Sequence, residues 1–333
     1  CLNKCPYKRL TSISKILDLM TDAIFDMQVK RIHEYKRQLM NVLSIVHRYA
    51  VIASCTARDR SRITPRVVVL AGKAAPGYDV AKKIIQLACG VAKVVNNDVR
   101  CAGTLQVVFI PNFNVSLAEM LIPASDISQH ISTAGMEASG TGNMKFVMNG
   151  GLIVGTLDGA NIEIAREVGS ENIFSFGATA NEVAALRASM HTRKPQMDER
   201  LQRVIRMISS GVFGDPEDSA CLMDALDVDK DYYLIGHDFG SYLEALDRTD
   251  LAYADRRGWA AKTIRAASSM WAFSSDRTIK EYAEKVWGME PSPFKPPHHA
   301  HAPGATLTHG VAVGGARSGQ KSLDGRGKGR RDE

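Results

Sequence analysis

The sequence predicts an α/β protein, a doubly wound parallel sheet with a helical C-terminal elaboration. Three observations predict it. Short apolar runs rich in β-branched residues end at or near a glycine, stretches of helical period lie between them, and from about residue 180 onward the pattern is mostly helical. Strands alternating with helices imply a parallel sheet covered on both faces, with ligands bound beyond the carboxyl ends of its strands.

The elements follow in order. Phe25 to Val29 reads as the first strand. Lys30, Arg31, Lys36 and Arg37 are expected to open a helix, because Ile32, Tyr35, Leu39, Val42 and Val46 recur at three- and four-residue spacings and share one face. Four cations at a helix start oppose its dipole, and a bound dianion would offset that cost; a basic surface turn explains the same charge. Arg66 to Gly72 (RVVVLAG) is the plainest buried strand. The turn GKAAPGY follows, then a helix from about Asp79 to Val95. A strand over Leu105 to Ile110 leads to a helix over Val115 to Leu121, and Gly151 to Gly155 leads to one over Ile162 to Val168. Ile173 to Phe176 is a further strand, and 251–270 and 276–287 are the clearest later helices.

Composition bounds the function. The 333 residues are 45% hydrophobic, enough for a substantial core, and no apolar run approaches the ~18 residues that span a bilayer. The net charge of +6 is uneven: residues 292–333 hold seven Lys or Arg against three acids, which leaves the rest close to neutral. Neither a nucleic-acid nor a membrane partner is therefore expected. That tail is rich in Gly, Pro, His and Ala without apolar period, and is expected to be disordered. Six cysteines form no CxxC pair, so reduced thiols in an intracellular compartment are expected, with Cys89 in the core. The chain starts at cysteine rather than methionine, and is expected to be a fragment.

Glu137 to Lys145, EASGTGNMK, is the most informative stretch. Ser139, Gly140 and Gly142 let the backbone approach a ligand, and Thr141 and Asn143 add hydrogen-bonding side chains. A lysine beside such a cradle is a phosphate counter-charge or an amine held for a Schiff base. The Lys-Ser/Thr pair of a P-loop is absent. On spacing alone, an ordinary strand-to-helix connection explains the turn equally well. His33 lies in the basic motif and reads as structural rather than as a general base. Asp158, Asn161 and Glu163 have no histidine beside them and read as turn and cap residues rather than metal ligands.

The run STAGMEASGTGNMKFVMNGGLIVGTLDGANIEI resembles the pyridoxal-phosphate segment of the α-glucan phosphorylases (glycogen, starch and maltodextrin phosphorylase). FDMQVKRIHEYKRQL, GKAAPGYDVAKKII, PNFNVSLAEMLIPASDISQHIS and FSSDRTIKEYAEKVWGMEP agree with the family in the same order. The resemblance covers 21–291. It sets apart 1–20 as a segment without family likeness and 292–333 as a tail. It implies the C-terminal, Rossmann-like domain of a two-domain glycosyltransferase fold, with pyridoxal 5′-phosphate as cofactor and a homodimer as the full-length state. By resemblance Lys145 forms the Schiff base, Thr141 and Gly142 hold the cofactor phosphate, and Phe113 and Asn114 lie near the ring. The family carries tyrosine where Phe113 stands; the phenyl ring keeps the packing surface without the hydroxyl. Glu137, Ala138, Ser139 and Gly140 would contact the transferred glucosyl unit. Lys30, Arg31 and Lys36 would meet the cofactor and substrate phosphates, while Tyr35 and Tyr78 shape the pocket. The implied reaction is reversible phosphorolysis of an α-1,4-glucan by inorganic phosphate to α-glucose 1-phosphate, with retained configuration, in the cytoplasm or a plastid. The alternatives are a truncated, catalytically inactive cofactor-binding fragment and, less well matched, an amine-metabolising pyridoxal enzyme.

Overall fold

The computed structural model describes residues 20, 22–190 and 196–290. The segment set apart at 1–20, Met20 excepted, and the tail from 292 lie outside them. By its contacts the chain divides into two units, Cys1–Tyr282 and Ala283–Glu333. In the second, the described residues form one π-helical turn, Ala283–Trp287.

The first unit holds the predicted sheet. Strands β1 (Ile24–Val29), β2 (Arg66–Gly72), β3 (Leu105–Pro111), β4 (Ile127–His130), β5 (Leu152–Gly155) and β6 (Phe174–Ser175) lie in the order β3-β2-β1-β4-β5-β6. Every neighbouring pair is parallel. The helices are α1 (Gln38–Ser54), α2 (Ala57–Arg60), α3 (Asp79–Asn97), α4 (Val115–Leu121), α5 (Gly142–Met148), α6 (Ala160–Val168), α7 (Ala180–Ser189), α8 (Glu199–Ser209), α9 (Pro216–Asp224), α10 (Ile235–Ala254), α11 (Arg256–Ser268) and α12 (Ser275–Tyr282).

Alternation along the strands divides the core. Phe25, Met27, Val67 and Val69 join one cluster with Leu121 of α4 and Phe146 of α5. Ile24, Val68 and Leu70 join another with Leu43 of α1, Val91 of α3 and Tyr242 of α10. Successive side chains point to opposite faces, so both faces of the sheet are sealed. Local chemistry starts the later helices: Thr179 and Glu182 form a reciprocal capping box on α7, and Asp215 caps α9 with Pro216 at its first position.

Strand order reverses between β1 and β4, where consecutive crossovers run to opposite sides. The carboxyl ends of those two strands flank the crevice at which ligands bind in such folds. Register brings Asp26 opposite Ile127 and Met27 opposite Ser128, so β1 and β4 deliver Lys30 and His130 side by side.

Four expectations need correction. β4 has the sequence Ile-Ser-Gln-His, which carries no apolar run, and the sequence does not reveal it as a strand. The helix after β1 starts at Gln38, not at Lys30. Glu34–Lys36 is a single 3-10 turn, and Arg37 breaks the path in a left-handed conformation (φ 55°). Ile32 is buried from a loop and only extends the apolar period by coincidence. Lys30, Arg31 and Lys36 therefore precede the helix rather than oppose its dipole. Cys89 is exposed, because α3 turns Leu87, Ala88 and Val91 inward. The helix expected over 251–270 is divided at Asp255, whose side chain accepts from the Gly258 N–H and starts α11.

Candidate functional site

A cleft of about 600 Å³ opens over the switch point. Lys30, Arg31 and Lys36 enter it from the segment after β1, Phe113 and Asn114 from the segment after β3. Glu137, Ser139, Gly140, Thr141, Gly142 and Lys145 form the facing wall. The structure thus brings together all the residues expected to contact cofactor or substrate except Ala138, which is exposed and is not part of the wall; Tyr35 and Tyr78, expected to shape the pocket, do not line it.

The cationic side rests on Arg37. Its side chain is fully buried; Nε donates to the Ile131 carbonyl at 2.7 Å, Nη2 to the Ser132 carbonyl at 3.2 Å, and Nη1 to Asp238 at 2.7 Å. These bonds offset the left-handed backbone and tie the basic segment to the segment after β4 and to α10. Close approach of the two strand ends requires Gly72. A Cβ there would stand 2.3 Å from the Lys30 carbonyl oxygen.

The cations differ in what they face. Lys36 pairs with Glu137, which also accepts from the Tyr35 hydroxyl at 3.3 Å. Burial works against the charge of Lys36, but its own hydrogen bonds to Glu137 and Tyr35 outweigh it and hold its pKa above the ordinary lysine value. Lys30 meets no carboxylate; its Nζ lies 3.2 Å from His130 Nδ1. Burial first, then the nearby Lys36, push its pKa down to about 7, against the pull of Glu137. Arg31, Lys73 and Lys145 also line the cleft, and none has an ion-pair partner among the described residues. That surplus of positive charge in a concave, partly desolvated place favours a multivalent anion.

The facing wall is shaped by Asp158. Its carboxylate accepts from Ser132 Oγ at 2.9 Å and from the backbone N–H groups of Gly135, Glu137 and Gly159 at 2.8–3.0 Å. Gly159 has φ +51°, and a Cβ there would stand 2.6 Å from the Ser139 carbonyl oxygen. Asn161 completes the frame, donating to the His130 and Thr156 carbonyls and accepting from Asn143. Asp158 and Asn161 thus act as turn residues, as expected, and the described residues contain no group of His, Cys, Asp or Glu able to hold a metal.

Thr141 stands at the N-cap of α5 but makes no side-chain cap bond, so its hydroxyl remains available to the cleft. Lys145, one turn on, is exposed. An amine, a free hydroxyl and several uncompensated cations around one cavity fit an aldehyde that carries a phosphate. Pyridoxal phosphate has that pair of groups. Phe113 is partly buried against the core cluster that holds Leu121 and Phe146 and offers a ring to the cleft. Asn114 caps α4 by accepting from the Leu117 N–H at 3.1 Å.

Lys73 and His130 line the cleft without having been expected there. Lys73 sits in the turn GKAAPGY, which reads only as a connection between strand and helix. His130 ends a strand that had not been recognised. By contrast His33 is exposed outside the cleft, its ring packed edge-on to Tyr35 at 4.8 Å and Tyr78 at 5.0 Å, which fits the structural role expected of it. No helix among the described residues is long and apolar enough to cross a membrane.

The family model for carbohydrate phosphorylases matches residues 3–289. Glycogen phosphorylase 2 of Dictyostelium discoideum is 52% identical over 274 residues, 82% of this chain and 27% of that protein. The α-glucan phosphorylase H isozyme of Triticum aestivum is 50% identical over 277 residues, 82% and 33% respectively. The α-1,4 glucan phosphorylase L-1 isozyme, chloroplastic/amyloplastic, of Solanum tuberosum is 48% identical over 278 residues, 82% and 29%. The chain spans roughly a third of the length of these curated relatives.

Proposed function

The chain belongs to the carbohydrate phosphorylase family, and from that premise we propose that it carries the cofactor half of an α-glucan phosphorylase. The reaction is reversible phosphorolysis of an α-1,4-glucan to α-glucose 1-phosphate, with pyridoxal 5′-phosphate as cofactor and a homodimer as the full-length assembly. One observation carries this reading. Cations without carboxylate partners, the free Thr141 hydroxyl and the Lys145 amine share one cleft at the switch point.

Lys145 would hold the cofactor through its carbonyl carbon, and Thr141 and Gly142 its phosphate. When bound, that phosphate supplies an acid–base partner for the substrate phosphate. Lys30, Arg31 and Lys36 hold two phosphates close together that would otherwise repel. Glu137, with the backbone of Ser139 and Gly140, offers acceptors and donors at fixed angles to the sugar hydroxyls. Lys36 and Glu137 hold each other until an anion and a sugar divide them, so both charges are already oriented when substrate arrives.

The test is chemical. The chain is incubated with pyridoxal 5′-phosphate, reduced with borohydride and digested. A pyridoxyl label on the peptide containing Lys145 supports the assignment; a label mainly on Lys73 or Lys36 overturns it.

A further inference from the structure

We infer that His130 is a positioning residue for Lys30: it aims the ammonium into the cleft without cancelling its charge. The inference rests on the phosphate-binding reading above and adds a residue to it.

The geometry is specific. Lys30 follows β1 and His130 ends β4, the two strands that flank the switch point, and Nζ lies 3.2 Å from Nδ1. The ring is held on its other sides. Nε2 is 3.1 Å from Ser128 Oγ, and the Phe146 ring packs edge-on at 6.0 Å. A Cβ on Gly142 would stand 3.6 Å from His130 Cε1, so the start of α5 closes over the ring. An ammonium only donates, so Nδ1 must accept, which leaves the ring proton on Nε2 to donate to Ser128 Oγ.

Charge explains why an imidazole suits this place. Burial, together with Lys30 and Lys36, holds the His130 pKa well below the usual histidine value, so the ring stays neutral. A carboxylate here would pair with Lys30 as Glu137 pairs with Lys36, and remove the charge a phosphate needs. An apolar side chain would leave a buried lysine unheld, free to rotate away. A neutral acceptor takes one N–H and leaves two donors for the ligand without pairing off the charge.

The experiment measures Kd by absorbance titration for pyridoxal 5′-phosphate and for pyridoxal, which lacks the phosphate. The proteins are the unaltered chain, His130→Leu, His130→Asn and Lys30→Met. Losing one positioning hydrogen bond to a charged group should cost His130→Leu about tenfold in affinity for the phosphorylated form, with pyridoxal unaffected. Asn offers an oxygen near the place of Nδ1, and His130→Asn should stay within about threefold of the unaltered chain. Three results overturn the inference. If Lys30→Met weakens binding and His130→Leu does not, His130 does not act through Lys30, and the reading of the site survives. If His130→Leu weakens both ligands alike, its role is general support of the wall. If Lys30→Met binds both ligands normally, the phosphate reading of Lys30 fails and takes His130 with it. Should His130→Leu melt early, Ser128→Ala serves instead. Freeing the tautomer should weaken the phosphorylated ligand about two- to threefold, and no change overturns the inference.

Discussion

The two ends of β1 hold similar side chains to opposite effect. Toward the amino ends of the strands, Arg66 is buried between Asp26 at 2.6 Å and Asp250 at 2.6 Å, and Arg48 reaches Asp250 at 2.7 Å. Thr249 and Gln129 satisfy further lone pairs and donors of that cluster. At the carboxyl ends, Lys30, Arg31, Lys73 and Lys145 share a cleft in which, among the described residues, Lys36 is the one cation with an ion-pair partner. A matched cluster closes on itself and contributes to the fold. An unmatched one is held short of neutrality and waits for an anion. The pKa directions agree: Arg66, despite burial, is held above its usual range by Asp250 and Asp26, whereas Lys30 is pushed down to about 7.

The sharpest way to break this contrast is at the amino-terminal cluster. Arg66→Met leaves Asp26, whose carboxyl burial already pushes up, with Gln129 as its remaining close partner. Removing one member of such a pair should cost about 3–5 kcal/mol of stability by urea unfolding, with anion affinity unchanged. Next comes the cleft. Lys30→Met should leave the melting temperature unchanged or raised, since it removes a desolvated charge, yet weaken phosphate-ligand binding by about 1.5–3 kcal/mol. A large loss of stability there would mean the two ends do not differ in kind.

The third prediction concerns pH. An incoming dianion raises the Lys30 pKa above its free value of about 7, so binding takes up a proton at higher pH. Sulfate, a dianion throughout this range, should bind equally well below pH 7 and lose up to about tenfold per pH unit above it, since one pKa unit is about 1.4 kcal/mol. Calorimetry at pH 6 to 8.5 decides; affinity that is flat or rises with pH contradicts the assignment. The smallest effect belongs to Thr141→Ala, about 1 kcal/mol in cofactor retention after dialysis. Arg31→Ala in a full-length relative should instead spare retention and damage turnover, because Arg31 is assigned to the substrate phosphate and Thr141 to that of the cofactor. If Arg31→Ala sheds the cofactor while its phosphate dependence stays normal, the division between the two phosphates is wrong.

What the sequence revealed follows from which forces act locally. RVVVLAG and the helix from Asp79 declare themselves because one residue pattern serves one burial pattern. EASGTGNMK was legible as a site because glycines and a lysine together are hard to explain by packing. β4 stayed hidden because a central strand made of Ser, Gln and His is stable only through long-range partners: Gln129 through Asp26, His130 through Lys30. No local window contains them. His130 and the organising role of Arg37 were lost for the same reason, since Arg37 finds Asp238 two hundred residues away. The helix start at Gln38 was misjudged because the left-handed turn at Arg37 is held by tertiary bonds, not by a glycine.

The difference between the two ends can be seen directly in a crystal of the chain soaked with selenate, a dianion located by its anomalous signal. The account predicts a peak in the cleft against Lys30, Arg31 and Lys36, and none at Arg48 and Arg66, whose charges Asp26 and Asp250 already balance. A peak at Arg48 or Arg66 with an empty cleft would contradict it.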